Sequence, residues 1–182
     1  MKGIIFTEFL EMVEDRFSDD VAEQIIEAAN LPSGGSYTSL GTYDHGEILA
    51  LVTQLGNVIG VNSEDLQLAF GEFLFSRFAI IHGDFMTAVP GALDFLEKVE
   101  GYIHLEVQKL YPEASPPQLT TTRLSEKQME LHYLSHRPFS LVAHGLIKGC
   151  GDHFGNTLDI QRDDLEGSGA GTEARFILTV MD

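Results

Sequence analysis

Two adjacent prolines, Pro116 and Pro117, divide this 182-residue chain into stretches of different period. Proline lacks an N–H and disfavours helix in the residue before it, so no helix runs through the pair. Upstream the apolar residues recur at helical spacing, beginning with Ile4, Ile5, Phe9, Leu10 and Val13. Ser18, ahead of Asp19 and Asp20, predicts a capped helix over 19–30, and 31–36 reads as a loop. Asp44 precedes a third helix carrying Ile48, Leu51, Val52 and Leu55, and Ser63-Glu64-Asp65 opens a fourth with an aromatic row through Phe70, Phe73, Phe75 and Phe78. His82-Gly83-Asp84 breaks that pattern, and Pro90-Gly91 begins a helix running to about Tyr111. Downstream, 118–124 and 128–137 predict a hairpin turned at Ser125-Glu126-Lys127. A helix over 139–154 follows, then strands at 157–162 and 174–180 around a Gly/Ser-rich tip at 167–171. The sum is an α+β fold, with a helical N-terminal region ahead of a four-stranded antiparallel sheet that carries one packed helix.

The charge balance excludes some partners. Eleven basic residues face 28 acidic ones, a net charge of −17, which argues against nucleic acid and anionic membrane surfaces and suits a basic protein partner. No apolar run approaches the ~18 residues of a membrane span, and the N-terminus lacks the pattern of a signal peptide. The single cysteine, Cys150, forms no internal disulfide, so a reducing cytoplasm is the expected location.

Chemistry concentrates in the hairpin. If the strand runs to 137, Tyr133, Ser135 and Arg137 share the face of Met129 and Leu131, bringing a phenol, a hydroxyl and a guanidinium beside an apolar interior. Such a trio can grip a carboxylate, and haem, with two propionates on an apolar ring, is one ligand that carries carboxylates into such a place. An ordinary exposed strand face explains the same spacing. His104 lies at the edge of a helical stripe formed by Leu96, Val99, Ile103, Val107 and Leu110. It can be an axial iron ligand or a core-edge histidine bonded to a carbonyl. Pro117 reads as a helix terminator, or as a stiff wall beside a flat ring.

Other clusters read as structure. Cys150-Gly151-Asp152-His153 could pair a thiol with an imidazole, but a helix end is the simpler account. Asp44, His45 and Glu47 could hold a metal, but a capped helix start needs the same residues. No CxxC, HExxH or phosphate-loop motif is present.

His104, then Pro117, then Tyr133-x-Ser135-x-Arg137 resemble the H-NOX family, the haem nitric oxide/oxygen binding domains similar to the haem domain of soluble guanylate cyclase. The likeness runs from Met-Lys-Gly-Ile-Ile at the start, through Gly-Thr-Tyr-Asp at 41–44, to the last strand. The resemblance implies one domain over 1–182, with a helical subdomain of about 1–60, a haem-bearing subdomain of about 61–182, and haem b between the two parts. His104 would be the proximal iron ligand, Tyr133, Ser135 and Arg137 would hold the propionates, and Pro117 would distort the ring.

Oxygen-binding members carry a tyrosine nine residues beyond the motif's tyrosine. Here that position is Val142, and its neighbours Phe139, Ser140, Leu141 and Ala143 supply no phenol. Ile5, Phe9, Val142 and Leu146 are therefore expected to form an apolar distal pocket that binds NO and CO but not stable O₂. The family's switch implies that NO binding releases His104 and alters a separate partner, a histidine kinase or a cyclic-di-GMP synthase or phosphodiesterase. The reading is a sensor, not an enzyme. The competing reading, a haem peroxidase or NO-consuming enzyme, needs a distal acid–base group, and helical phasing turns His144 away from Val142.

Overall fold

The computed structural model describes residues 1–87, 89–165 and 171–181, and the chain separates into two compact units, Met1–Phe70 and Gly71–Asp182. The fold is α+β, helices ahead of a four-stranded antiparallel sheet. Residues 167–170 of the expected Gly/Ser tip lie outside the described residues.

The first unit holds α1 (Gly3–Arg16), α2 (Asp19–Ala29), α3 (His45–Ile59) and the start of α4 (Ser63–Ile81). Its core is built at helical spacing from Phe6, Phe9, Met12 and Val13 of α1, Ala22 and Ile25 of α2, Leu51 and Leu55 of α3, and Phe70 of α4. The buried face of α1 is thus centred on Phe6, Phe9 and Val13, while Ile4, Ile5 and Leu10 sit half-buried at its margins. Ser18 caps α2 by accepting the Val21 N–H at 3.2 Å, and Asp44 caps α3 through the Gly46 N–H at 2.8 Å. Glu47 is turned inward, where the Ser33 and Tyr37 hydroxyls bond its carboxylate.

The second unit holds the rest of α4, a short α5 (Gly83–Thr87), α6 (Ala92–Lys98), a π-helical turn (Val99–His104), α7 (Leu105–Leu110) and α8 (Ser140–His153). Its strands are β1 (Gln118–Ser125), β2 (Gln128–Leu134), β3 (Thr157–Asp164) and β4 (Glu173–Met181), in the order β1-β2-β4-β3. Alternation puts Met129, Leu131 and Tyr133 of β2 beside Ala174, Phe176 and Leu178 of β4 on one buried face. Helices α6 and α8 pack in the same core, where the Cys150 thiol of α8 approaches the Ala92 carbonyl of α6 at 3.8 Å.

Two expectations need correction. The continuous helix from Pro90-Gly91 to Tyr111 is interrupted at Val99–His104 by the π turn, which holds one residue more per hydrogen-bonded ring than an α-helix. The extra residue rotates everything beyond it, so the Leu96–Leu110 stripe does not persist and Leu110 is 72% exposed. Strand β2 also ends at Leu134, three residues short of the predicted end. The Ser135 N–H still bonds the Thr172 carbonyl at 2.8 Å, but the Ser135 hydroxyl then accepts the Arg137 N–H at 3.1 Å and turns the chain. Pro138, with no N–H of its own, follows immediately.

Candidate functional site

Ser135 and Arg137 therefore do not share a strand face with Tyr133, yet the turn returns them to it. The Tyr133 side chain is 3% exposed at the end of β2. Burial raises its pKa, and a hydrogen bond with the Ser135 side chain, the charge of Arg137 and a bond to the Phe139 backbone pull it part of the way back. The phenol, hydroxyl and guanidinium are thus neighbours through a tight turn and not through strand pleating. Arg137 reaches further: its Nη1 donates to the Ser115 carbonyl at 2.8 Å, across to the extended segment that leads through Pro116 and the half-buried Pro117 into β1.

His104 closes the π turn, with a side chain only 16% exposed. Its Nδ1 lies 2.9 Å from Oε2 of Glu100, four residues earlier. A carboxylate accepts only, so the imidazole donates from Nδ1, and a neutral ring then carries its lone pair on Nε2. The same Glu100 oxygen accepts the backbone N–H of Leu119 at 3.0 Å. Leu119 is paired with Tyr133 across β1 and β2. Residues 115–119 therefore join the two halves of the predicted site: Arg137 holds one end, Glu100 the other, and Tyr133 lies alongside.

Charge fastens the helix that carries this turn. Arg123 of β1 donates to Asp94 at 2.9 Å and to Glu97 at 2.8 Å, both on α6. At the other end Asn156, 64 residues further along the chain, accepts the Ala92 N–H at 3.1 Å and caps α6, which begins after the side-chain-less Gly91. A cavity of about 510 Å³ borders the π turn at Gly101, Tyr102 and Ile103, with Phe85 and Phe95 among its walls. The predicted ligand residues are not part of that lining.

Val142 and Leu146 are half-buried on α8, in the second unit, while Ile5 and Phe9 belong to α1 of the first. Phe9 packs edge-on against Phe70, with ring centres 5.2 Å apart. His144 sets its ring edge-on to Phe176 of the sheet at 5.9 Å, and burial, reinforced by the charge of Arg162, lowers its pKa. Glu100 was not singled out from the sequence. Its signal is the helical i,i+4 spacing to a histidine, a pairing that short-range rules recognise.

The model of the Haem-NO-binding family matches residues 2–162, a span that contains His104, Pro117 and the whole Tyr133–Arg137 turn. The chain belongs to the haem-NO-binding, or H-NOX, family. It is similar to an unliganded Fe(II) H-NOX protein from K. algicida, at 33% identity and a TM-score of 0.92 over 100% of this chain and 97% of that one. An H-NOX protein from S. oneidensis in the Fe(II)NO state gives 30% identity and a TM-score of 0.90, covering all of both chains. A soluble guanylate cyclase of Caenorhabditis elegans, gcy-35, is 27% identical over 143 residues, 75% of this chain, and the H-NOX chain spans about a fifth of that relative's length. H-NOX domains are haem-binding gas-sensor domains, and the donor set here fits haem. An imidazole held through Nδ1 offers its other nitrogen to iron, and a buried phenol stands beside a hydroxyl and a guanidinium, donors suited to propionates.

Proposed function

We propose that this chain is a nitric oxide sensor that binds haem b, takes NO and CO but no stable O₂, and regulates a separate signalling protein without performing catalysis itself. The observation that carries the reading is the nearly buried His104 imidazole, fixed by a carboxylate through Nδ1. Haem, when bound, supplies a ferrous iron that takes a diatomic gas. The chain supplies the rest: His104 offers the Nε2 lone pair, Tyr133, Ser135 and Arg137 hold the propionates, and Pro117 packs on the ring.

Selectivity is assigned to Ile5, Phe9, Val142 and Leu146. A bound O₂ carries negative charge and needs a donor, whereas NO bonds strongly without one, and these four side chains offer none. Disengagement of His104 is the chain's own response, a ligand-biased change between two states. A histidine kinase or a cyclic-di-GMP synthase or phosphodiesterase in the cytoplasm is the proposed reader, and a docking surface of basic character suits a net charge of −17. An enzymatic reading requires a distal acid–base group; the candidate nearest Val142 in sequence, His144, sets its ring edge-on to Phe176 of the sheet.

Absorption spectra of the ferrous, haem-loaded protein under argon, air, CO and NO test the proposal. NO and CO should each change the spectrum, with NO giving a five-coordinate signature, while air leaves the ferrous spectrum in place. A long-lived oxy spectrum in air would refute the selectivity, and multiple turnovers of peroxide would refute the non-enzymatic role.

A further inference from the structure

Glu100 directs both of its hydrogen bonds to a single oxygen: Oε2 takes the His104 Nδ1 at 2.9 Å and the Leu119 N–H at 3.0 Å. We infer that Glu100 is a positioning residue that couples the state of His104 to the edge of the sheet. The inference rests on His104 being the iron ligand, and it adds a residue and a route to that reading.

Three physical steps lead there. First, a carboxylate on Nδ1 selects the tautomer that leaves Nε2 available and makes that nitrogen a stronger donor. Second, two donors sharing one acceptor atom are not independent. A displacement of the imidazole by a fraction of an ångström lengthens its own bond, rotates the carboxylate, or disturbs the bond to Leu119. Third, Leu119 is no isolated loop amide. It sits at the second position of β1, directly after Pro117 and Gln118, and faces Tyr133 in the register of β1 and β2. Movement at His104 thereby arrives at the strand beside the residues that grip the propionates.

The local backbone suits this role. A π turn is a strained insertion that recurs at functional sites, and this one contains Glu100 and His104 both. The cavity of about 510 Å³ along Gly101, Tyr102 and Ile103 gives the turn room to rearrange. Meanwhile α6, immediately before the turn, is tied to β1 by Arg123 through Asp94 and Glu97. The helix before the turn is anchored and the turn itself has space, so motion of His104 is directed into the Glu100 link.

A merely structural Glu100 would cap the Leu119 N–H and do nothing else, so the test reads both bonds. In the haem-loaded protein, Glu100→Ala and Glu100→Gln are compared with wild type by resonance Raman of the ferrous state and by amide exchange of Leu119, with and without NO. Both variants are expected to lower the iron–histidine stretching frequency, and loss of the carboxylate behind a ligand imidazole typically weakens metal binding about 10–100-fold. Leu119 exchange should rise about tenfold or more in Glu100→Ala, the scale set by losing a hydrogen bond to a charged acceptor. In wild type NO should also change Leu119 exchange, and in Glu100→Ala that response should vanish. Unchanged frequency in both variants, or a Leu119 response to NO that survives in Glu100→Ala, overturns the coupling. His104→Ala separates the two levels. If the iron–histidine band persists there, the ligand reading fails and the coupling with it; if it disappears there but ignores Glu100, the coupling alone fails.

Discussion

Removing the Asn156 amide should loosen the helix that leads to His104, although Asn156 is distant in sequence and belongs to no helix itself. The Ala92 N–H, the first of α6, donates to Asn156 Oδ1 at 3.1 Å, and Ala92 is completely buried. A surface cap is worth about 1 kcal/mol, and a buried donor left without a partner costs about 1–3 kcal/mol. Asn156→Ala should therefore destabilise α6 by about 2 kcal/mol, between the value of a surface cap and the cost of a fully buried orphan donor. The chain comprises two compact units, so a global midpoint mixes events, and amide exchange across residues 92–98 is the cleaner assay. Protection there should fall about thirtyfold, the factor that 2 kcal/mol represents. Asn156→Asp should not restore wild-type protection. Asp94 Oδ2 and Asn156 Oδ1 both lie within 4 Å of where a Gly91 Cβ would stand, so a second carboxylate would confront the first. Exchange in Asn156→Ala within twofold of wild type, or protection above wild type in Asn156→Asp, would refute the argument.

Three further outcomes follow from the second unit. His144, whose folded-state pKa is depressed below 6.5 by burial and Arg162, with Lys148 also lowering it and Glu72 opposing, makes the unfolded state bind more protons as pH falls. Stability should thus drop as pH falls from about 6.5 toward the folded pKa, by at most about 1.4 kcal/mol per pH unit, and His144→Gln should flatten that part of a urea-midpoint profile. The Cys150 thiol, fully buried with its pKa pushed up by burial, should react with a thiol reagent only as fast as the second unit opens, and rise to free-thiol rates in denaturant. Arg137→Ala removes the bond to the Ser115 carbonyl as well as a charge beside Tyr133, so haem transfer to an acceptor protein should accelerate more than in Arg137→Lys.

Much of this architecture is legible because it is written in local codes. Ser18 and Asp44 announce their helices as side-chain caps, the alternation Met129-Leu131-Tyr133 announces a strand, and Pro116-Pro117 stops what precedes it. The parts that were not legible depend on partners far along the chain or on a rare backbone ring. The π turn cannot be told from α-helix by apolar spacing when Val99, Ile103 and Val107 look equally acceptable to both patterns. The early end of β2 depends on a hydroxyl, that of Ser135, accepting the Arg137 N–H two residues on and turning the chain. Asn156 and Glu100 act at a distance: one caps a helix begun by glycine, and the other satisfies a strand on a different element. For Tyr133, Ser135 and Arg137 the alternation of a strand predicts a shared face, whereas a turn and not a pleat brings the groups together.

Among the described residues, strand β1 is the outer member of its sheet, with β2 on one side only. An outer strand offers its unpaired amides as a template for any other extended chain. The Leu119 amide is withheld from such pairing by the Glu100 carboxylate, and further along the strand Arg123 lies against the α6 acids. The carboxylate that bonds the imidazole therefore also occupies an outward-facing amide of the edge strand, so one oxygen serves a side chain and a sheet margin together.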